Sequence, residues 1–84
     1  MDKYVVAIIH PFVREQEISV YINSECVKVI NVTLDKMDKE IYRLCEQFDI
    51  DKVNFVGGQL YALKFKDEFI TNKFGNKNIE VHIQ

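Results

Sequence analysis

The residues that could bind or transform a ligand lie where predicted strands end and predicted helices begin. His10 follows an apolar run, and Gly57-Gly58 stands between a second apolar run and a helical pattern. A glycine pair at such a junction lets the backbone approach an anion closely and aims free amides at it, and a histidine can exchange a proton near neutral pH. The candidate ligand-binding residues are His10, Thr33, Asp35, Gly57, Gly58 and Gln59.

Each of these residues also has a purely structural explanation. A glycine pair suits a tight turn from strand to helix, a histidine at a strand end can hold a turn, and Asp35 suits the cap of a helix. We therefore expect a conformational role for Gly57-Gly58 and no catalytic residue. The alternative is a small protein that binds or sequesters a nucleotide or phosphate through this turn.

The two cysteines give no support for metal or cofactor chemistry. Neither Cys26 nor Cys45 has a second cysteine or a histidine at metal-ligand spacing. Cys45 also falls on the predicted buried face of a helix. We expect two reduced thiols in or near the core, no metal site and no cofactor.

The charge pattern favours neither nucleic acid nor basic partners, because 84 residues carry a formal net charge of only −2. The lysines of the last third are interspersed with Asp67 and Glu68, which indicates a solvated helix face. Weak nucleic-acid binding through these lysines is a second alternative. They are Lys64, Lys66, Lys73 and Lys77.

No segment of the sequence is typical of a membrane or secreted protein. The longest uninterrupted apolar stretch, Val5 to Ile9, is far shorter than the roughly 18 residues that a membrane helix needs. The N-terminal Met-Asp-Lys-Tyr lacks the apolar segment of a secretory signal. We expect a cytoplasmic protein without a membrane partner.

The apolar pattern predicts one α/β domain over residues 1–84, with the element order β-β-β-α-β-α-β. Tyr4–His10 is apolar on both sides, as expected of a central strand. Strands at 18–22 and Cys26–Val32 follow, joined by a turn at Asn23-Ser24-Glu25. The other predicted elements are a helix with the stripe Met37, Ile41, Leu44, Cys45 and Phe48, a strand Val53–Val56, a helix from about Gln59 to Lys73 with its stop at Gly75-Asn76, and a last strand at 79–83.

The predicted sheet is mixed and has the strand order 3-2-1-4-5, with both helices on one face. Strands joined through helices run parallel to each other, because crossovers are right-handed. The face without helices is then expected to be apolar and to bind a protein partner or a second copy. The candidate interface residues are Val5, Ala7, Ile9, Tyr21 and Val56.

One stretch resembles a known family. Val53-Asn54-Phe55-Val56-Gly57-Gly58, the helix after it, Phe74-Gly75 and Ile79-Glu80-Val81 resemble the strand-GG-helix-strand segment of actin-like ATPases that contacts adenosine. The whole element order looks like the core shared by ribonuclease H-like and actin-like domains. The resemblance covers residues 53 to 81 and implies a fold rather than an activity.

The sequence departs from both families at their catalytic positions. A ribonuclease H-like nuclease has a metal-binding Asp in its first strand, and Tyr4–His10 has no carboxylate. An actin-like ATPase has an Asp-x-Gly hairpin near its N-terminus, where this chain reads His10-Pro11-Phe12-Val13-Arg14. We therefore expect neither a two-metal nuclease nor an autonomous ATPase.

The size and the Lys-, Ile- and Asn-rich composition look like the small accessory proteins of bacteriophages and mobile elements of AT-rich bacteria. The apolar sheet face and the missing catalytic residues favour a non-enzymatic interaction protein that self-associates as a homo-oligomer, most simply a homodimer. In a phage-encoded protein the compartment would be the host cytoplasm.

Overall fold

A computed structural model describes residues 2–10, 12–70 and 79–84 of the chain. Its elements follow the predicted order β-β-β-α-β-α-β. They are β1 (Lys3–Ile8), β2 (Glu15–Ile22), β3 (Glu25–Thr33), α1 (Leu34–Gln47), β4 (Lys52–Val56), α2 (Gln59–Ile70) and β5 (Glu80–Ile83).

The five strands form one mixed sheet in the order β3-β2-β1-β4-β5, which confirms the predicted order. β1 pairs antiparallel with β2, and β2 pairs antiparallel with β3. β1 and β4 are parallel, and so are β4 and β5. The carboxyl ends of β1, β3 and β4 therefore share one edge of the sheet.

Both helices pack on the same face of the sheet, as predicted. α1 contacts β1, β2 and β3, while α2 contacts β4 and β5. This layer closes a single apolar core and leaves the molecule only 20 Å thick in its shortest direction. The strand residues of the core are Val5, Ala7, Ile18, Val20, Val53 and Phe55, and the helix residues are Met37, Ile41, Leu44, Cys45, Ala62 and Phe65.

α1 ends in a hydrogen-bonded cap that aims the chain into β4. Asp49 adopts φ 55°, the left-handed conformation that closes many helices. Its N–H donates to Glu46 O at 3.4 Å, and the N–H of Ile50 donates to Cys45 O at 2.8 Å. Ile50 is then buried in the core at 1% exposure, so the cap fixes where β4 begins.

The turn between β2 and β3 is tighter than predicted. Asn23 and Ser24 have φ 52° and 67°, which is typical of a two-residue type I′ hairpin, and Glu25 already belongs to β3. Beyond the turn, Tyr21 lies opposite Cys26, and the next pair joins Val20 to Lys28 rather than to Val27. Val27 is therefore the extra residue of a β-bulge.

α2 buries Ala62 and Phe65, while Leu63 is 52% exposed. The predicted stop at Gly75-Asn76, Lys73, Lys77 and Pro11 lie outside the described residues. Within the described part of the chain, neither helix has the length and apolar character needed to cross a bilayer.

Candidate functional site

The predicted interface residues divide between the two faces of the sheet. Val5 and Ala7 are 0% exposed and Ile9 is 8% exposed, because all three lie under the helices. Their assignment to the exposed face is wrong. Tyr21 and Val56 do lie on the face away from the helices, and Val56 is 37% exposed.

The error comes from the pleat of β1, which is apolar on both sides. Its register places Val5 beside Val20 and Ala7 beside Ile18. Val20 and Ile18 lie on the apolar side of β2, which faces the core. Directly paired residues on neighbouring strands point to the same face, so Val5 and Ala7 face the core as well. A one-residue change of register exchanges the faces of a strand.

The face away from the helices, here called the open face, carries a continuous group of partly exposed apolar side chains. At one end the rings of Tyr4 and Tyr21 stack with centroids 5.2 Å apart and an interplanar angle of 9°. Val29, on β3, is 50% exposed. The apolar members of the open face are Tyr4, Val6, Ile8, Tyr21, Val29 and Val56.

Polar residues form a rim around this apolar group. One further polar residue, Ser19, lies inside the group between Val6 and Val29, and it is 4% exposed. On the β5 side, His82 Nε2 lies 2.9 Å from Glu80 Oε1. The polar rim consists of Glu17, Asn31, Lys52, Asn54, Glu80 and His82. An apolar centre with a polar rim is the usual anatomy of a protein interface.

Both positions of the Gly57-Gly58 turn require glycine for conformational reasons. Gly57 and Gly58 have φ 77° and 56°, which side chains rarely tolerate. A Cβ at Gly57 would lie 2.7 Å from the carbonyl oxygen of Ile9, and one at Gly58 would lie 2.5 Å from the Ile9 side chain. The Gly57 N–H donates to Gln84 O at 3.4 Å. Close packing on Ile9 therefore accounts for the glycine pair without a ligand.

His10 is exposed, and a buried glutamine that the sequence analysis missed fixes its backbone. Gln16 is 1% exposed. Its Oε1 accepts from the His10 N–H at 2.6 Å, while its Nε2 donates to His10 O at 3.1 Å and to Val13 O at 3.0 Å. The sequence signal that could have revealed it is spacing, because Gln16 lies two residues before Ile18 and so continues the inward series of Ile18 and Val20.

Thr33 and Asp35 interact with each other at the start of α1. Thr33 is the N-cap, but its side chain makes no capping hydrogen bond. Instead its hydroxyl donates to the Asp35 carboxylate, and this hydrogen bond is the main cause that lowers the pKa of Asp35. Asp35, which the sequence suggests as the cap, lies in the first turn of α1 instead, and its carboxylate accepts from the Thr33 hydroxyl.

The candidate ligand residues lie along the same edge of the sheet but are spread out on it. β3 and β1 are two strand spacings apart, so Thr33 and His10 are separated laterally by about 10 Å, with β2 between them. A cleft beside α1 and α2 has a volume of about 110 Å³ and includes Asp35 in its lining. That volume is well below the ~300 Å³ of a small-molecule site. The cleft is lined by Leu34, Asp35, Asp38, Tyr61, Lys64 and Phe65.

Comparisons of the chain with protein-family models, curated proteins and solved structures found no match. The resemblance to ribonuclease H-like and actin-like domains stays a prediction. Among the described residues, no group of three or more His, Cys, Asp or Glu side chains is placed to hold a metal ion.

Replacing Gly58 by alanine should destabilise the fold by roughly 2–5 kcal/mol, from left-handed strain plus overpacking. Urea denaturation measures this change. An Ile9→Gly background removes Cβ, Cγ1 and Cγ2 of Ile9, the three atoms that the new methyl group would meet, so Gly58→Ala should cost less there. Equal costs in the two backgrounds would show that contact with Ile9 is not the constraint.

Thr33→Val should raise the pKa of Asp35 toward its ordinary value, because the valine cannot donate to the carboxylate. Thr33→Ser keeps the hydroxyl and serves as the matched control. Since folding lowers this pKa, ionised Asp35 adds stability above its unfolded-state pKa, and that contribution disappears as pH falls through the folded-state value. Carboxyl NMR titration checks this, and an unchanged pKa in Thr33→Val contradicts it.

Proposed function

We propose that this chain is a small protein-interaction module that binds a second copy of itself through the open face of its sheet. The observation that carries the proposal is the continuous apolar group on that face, from Tyr4 and Tyr21 through Val6 to Val56. The largest contiguous apolar patch on a small protein often marks an interaction site.

The open face is close in size to what a weak homodimer needs. Strand spacing and residue rise give the five-stranded sheet a flat area of roughly 450 Å² per copy. Two copies would therefore cover about 900 Å² of flat area, and more once the relief of the side chains is counted. This approaches the lower end of specific interfaces, about 1,000–1,200 Å² in total.

The charge distribution suits contact between identical copies. In a two-fold contact, residues near the axis meet their own counterparts, so a charged centre would repel itself. The centre of the open face holds Val6, Ile8 and Ser19, which are uncharged, and the acidic and basic side chains lie on the rim. A rim with both acidic and basic residues can then pair across the contact.

The two thiols are placed on different sides of the sheet. Cys26 is exposed, which corrects the expectation of a core or near-core position, and lies opposite Tyr21 on the open face, whereas Cys45 is buried in the core. We propose the cytoplasm as the compartment, since an exposed thiol persists in a reducing environment.

Val56→Lys should weaken self-association about tenfold, because it brings a like charge to the contact in both copies. Leu63→Lys is the matched control. Both residues are exposed, at 37% and 52%, but Leu63 lies on α2, away from the open face. Sedimentation equilibrium up to high micromolar concentration gives the dissociation constants.

A strictly monomeric wild-type protein in that experiment would rule out self-association as the function. Equal weakening by Val56→Lys and Leu63→Lys would instead show that the contact is not on the open face. Far-UV circular dichroism confirms that both variants fold.

A further inference from the structure

Among the described residues the sheet ends in two edge strands, β3 and β5, which differ in their protection against pairing. β5 contributes four residues, and its side chains include Glu80 and His82. β3 contributes nine residues. Native edge strands are commonly kept short or carry charges, bulges or prolines that block pairing with another strand.

The protective features of β3 all lie in its first half. Glu25, Lys28 and the bulge at Val27 occupy this part. The second half, Val29–Thr33, reads Val-Ile-Asn-Val-Thr and has no charge, proline or glycine. It therefore presents an unprotected edge rich in β-branched residues, which favour strand pairing.

The hairpin determines which backbone groups of this edge point outward. In a two-residue type I′ hairpin the closing pair is hydrogen-bonded, and antiparallel pairs then alternate. Counting from that pair through the bulge, Val29 and Asn31 fall in non-hydrogen-bonded pairs with β2. Their N–H and C=O groups point to the free edge, and so does the N–H of Thr33.

From this geometry we infer that Val29–Thr33 pairs antiparallel with the same segment of a second copy, with Asn31 opposite Asn31. Asn31 then exchanges two backbone hydrogen bonds with its counterpart. The N–H of Thr33 in each copy donates a hydrogen bond to the carbonyl of Val29 in the other copy. This contact is independent of the open-face contact, because it uses the backbone of the β3 edge.

The side chains agree with this register. Ile30, on the core side, comes opposite Val32 of the second copy, and both are only partly buried apolar residues packed against the core. On the other side, Asn31 meets Asn31, and an amide can donate to and accept from its own kind. No like charges oppose each other within the paired segment. The edge of a second copy is complementary because it presents the same backbone N–H and C=O groups at the same spacing, so that donors face acceptors when the two edges run antiparallel.

The test uses opposite charges at the position that faces itself. Asn31→Asp and Asn31→Lys are each made in the Val56→Lys background, which weakens the open-face contact. Each variant alone should associate about tenfold more weakly than Val56→Lys, because like charges oppose. Their equimolar mixture should form heterodimers in native mass spectrometry and recover association in sedimentation equilibrium. Asn31 is exposed, so neither substitution disturbs the core.

Asn54→Asp and Asn54→Lys, in the same background, form the matched control pair. Asn54 lies on the open face but on β4, away from the β3 edge. A mixture of the Asn31 variants that associates no more tightly than either alone would overturn the β3 contact. Recovery of the same size in the Asn54 mixture would also overturn it. Both outcomes concern the contact at the β3 edge. The open-face contact is tested separately by comparing Val56→Lys with Leu63→Lys, so either contact can be overturned without the other.

Discussion

The pleat of β1 decides which apolar side chains meet the helices, and the rest of the molecule follows from that choice. Ala7 lies between Ile18 of β2 and Phe55 of β4, all under the helices. The small side chain leaves room for the larger neighbours in a close-packed layer. The opposite side of β1 carries Tyr4, whose hydroxyl favours a position near water.

The same choice shapes the edge where a ligand site was expected. Ile9 continues the inward side of β1 and is buried beneath the turn after β4. Gly57 and Gly58 are required because the backbone passes directly over it. Packing on Ile9 thus explains a glycine pair that, in the sequence, suggests phosphate binding. The exposed apolar side chains of β1 lie on the opposite face of the sheet.

Much of the fold could be predicted because local patterns were unambiguous. The stripe of α1 and the alternation of β2 indicated their elements and buried sides. A first strand that is apolar on both sides indicated the strand order with β1 in the centre, and the helical crossovers indicated which strands run parallel. The facing of β1 could not be predicted, since Val5 and Val6 are equally apolar and the six residues between β1 and β2 leave the register open. Gln16 escaped notice for a related reason, because its partners lie in that connection.

Concentration-dependent NMR of the wild-type protein tests the central claim most directly. Amide and methyl shifts are followed during dilution from high to low micromolar concentration. The account predicts that the largest changes occur at Val6, Ile8, Tyr21 and Val56, with small changes at Ile41 and Phe65 in the core. Shifts that do not depend on concentration, or that change mainly on the outer surfaces of α1 and α2, would contradict an interface on the open face.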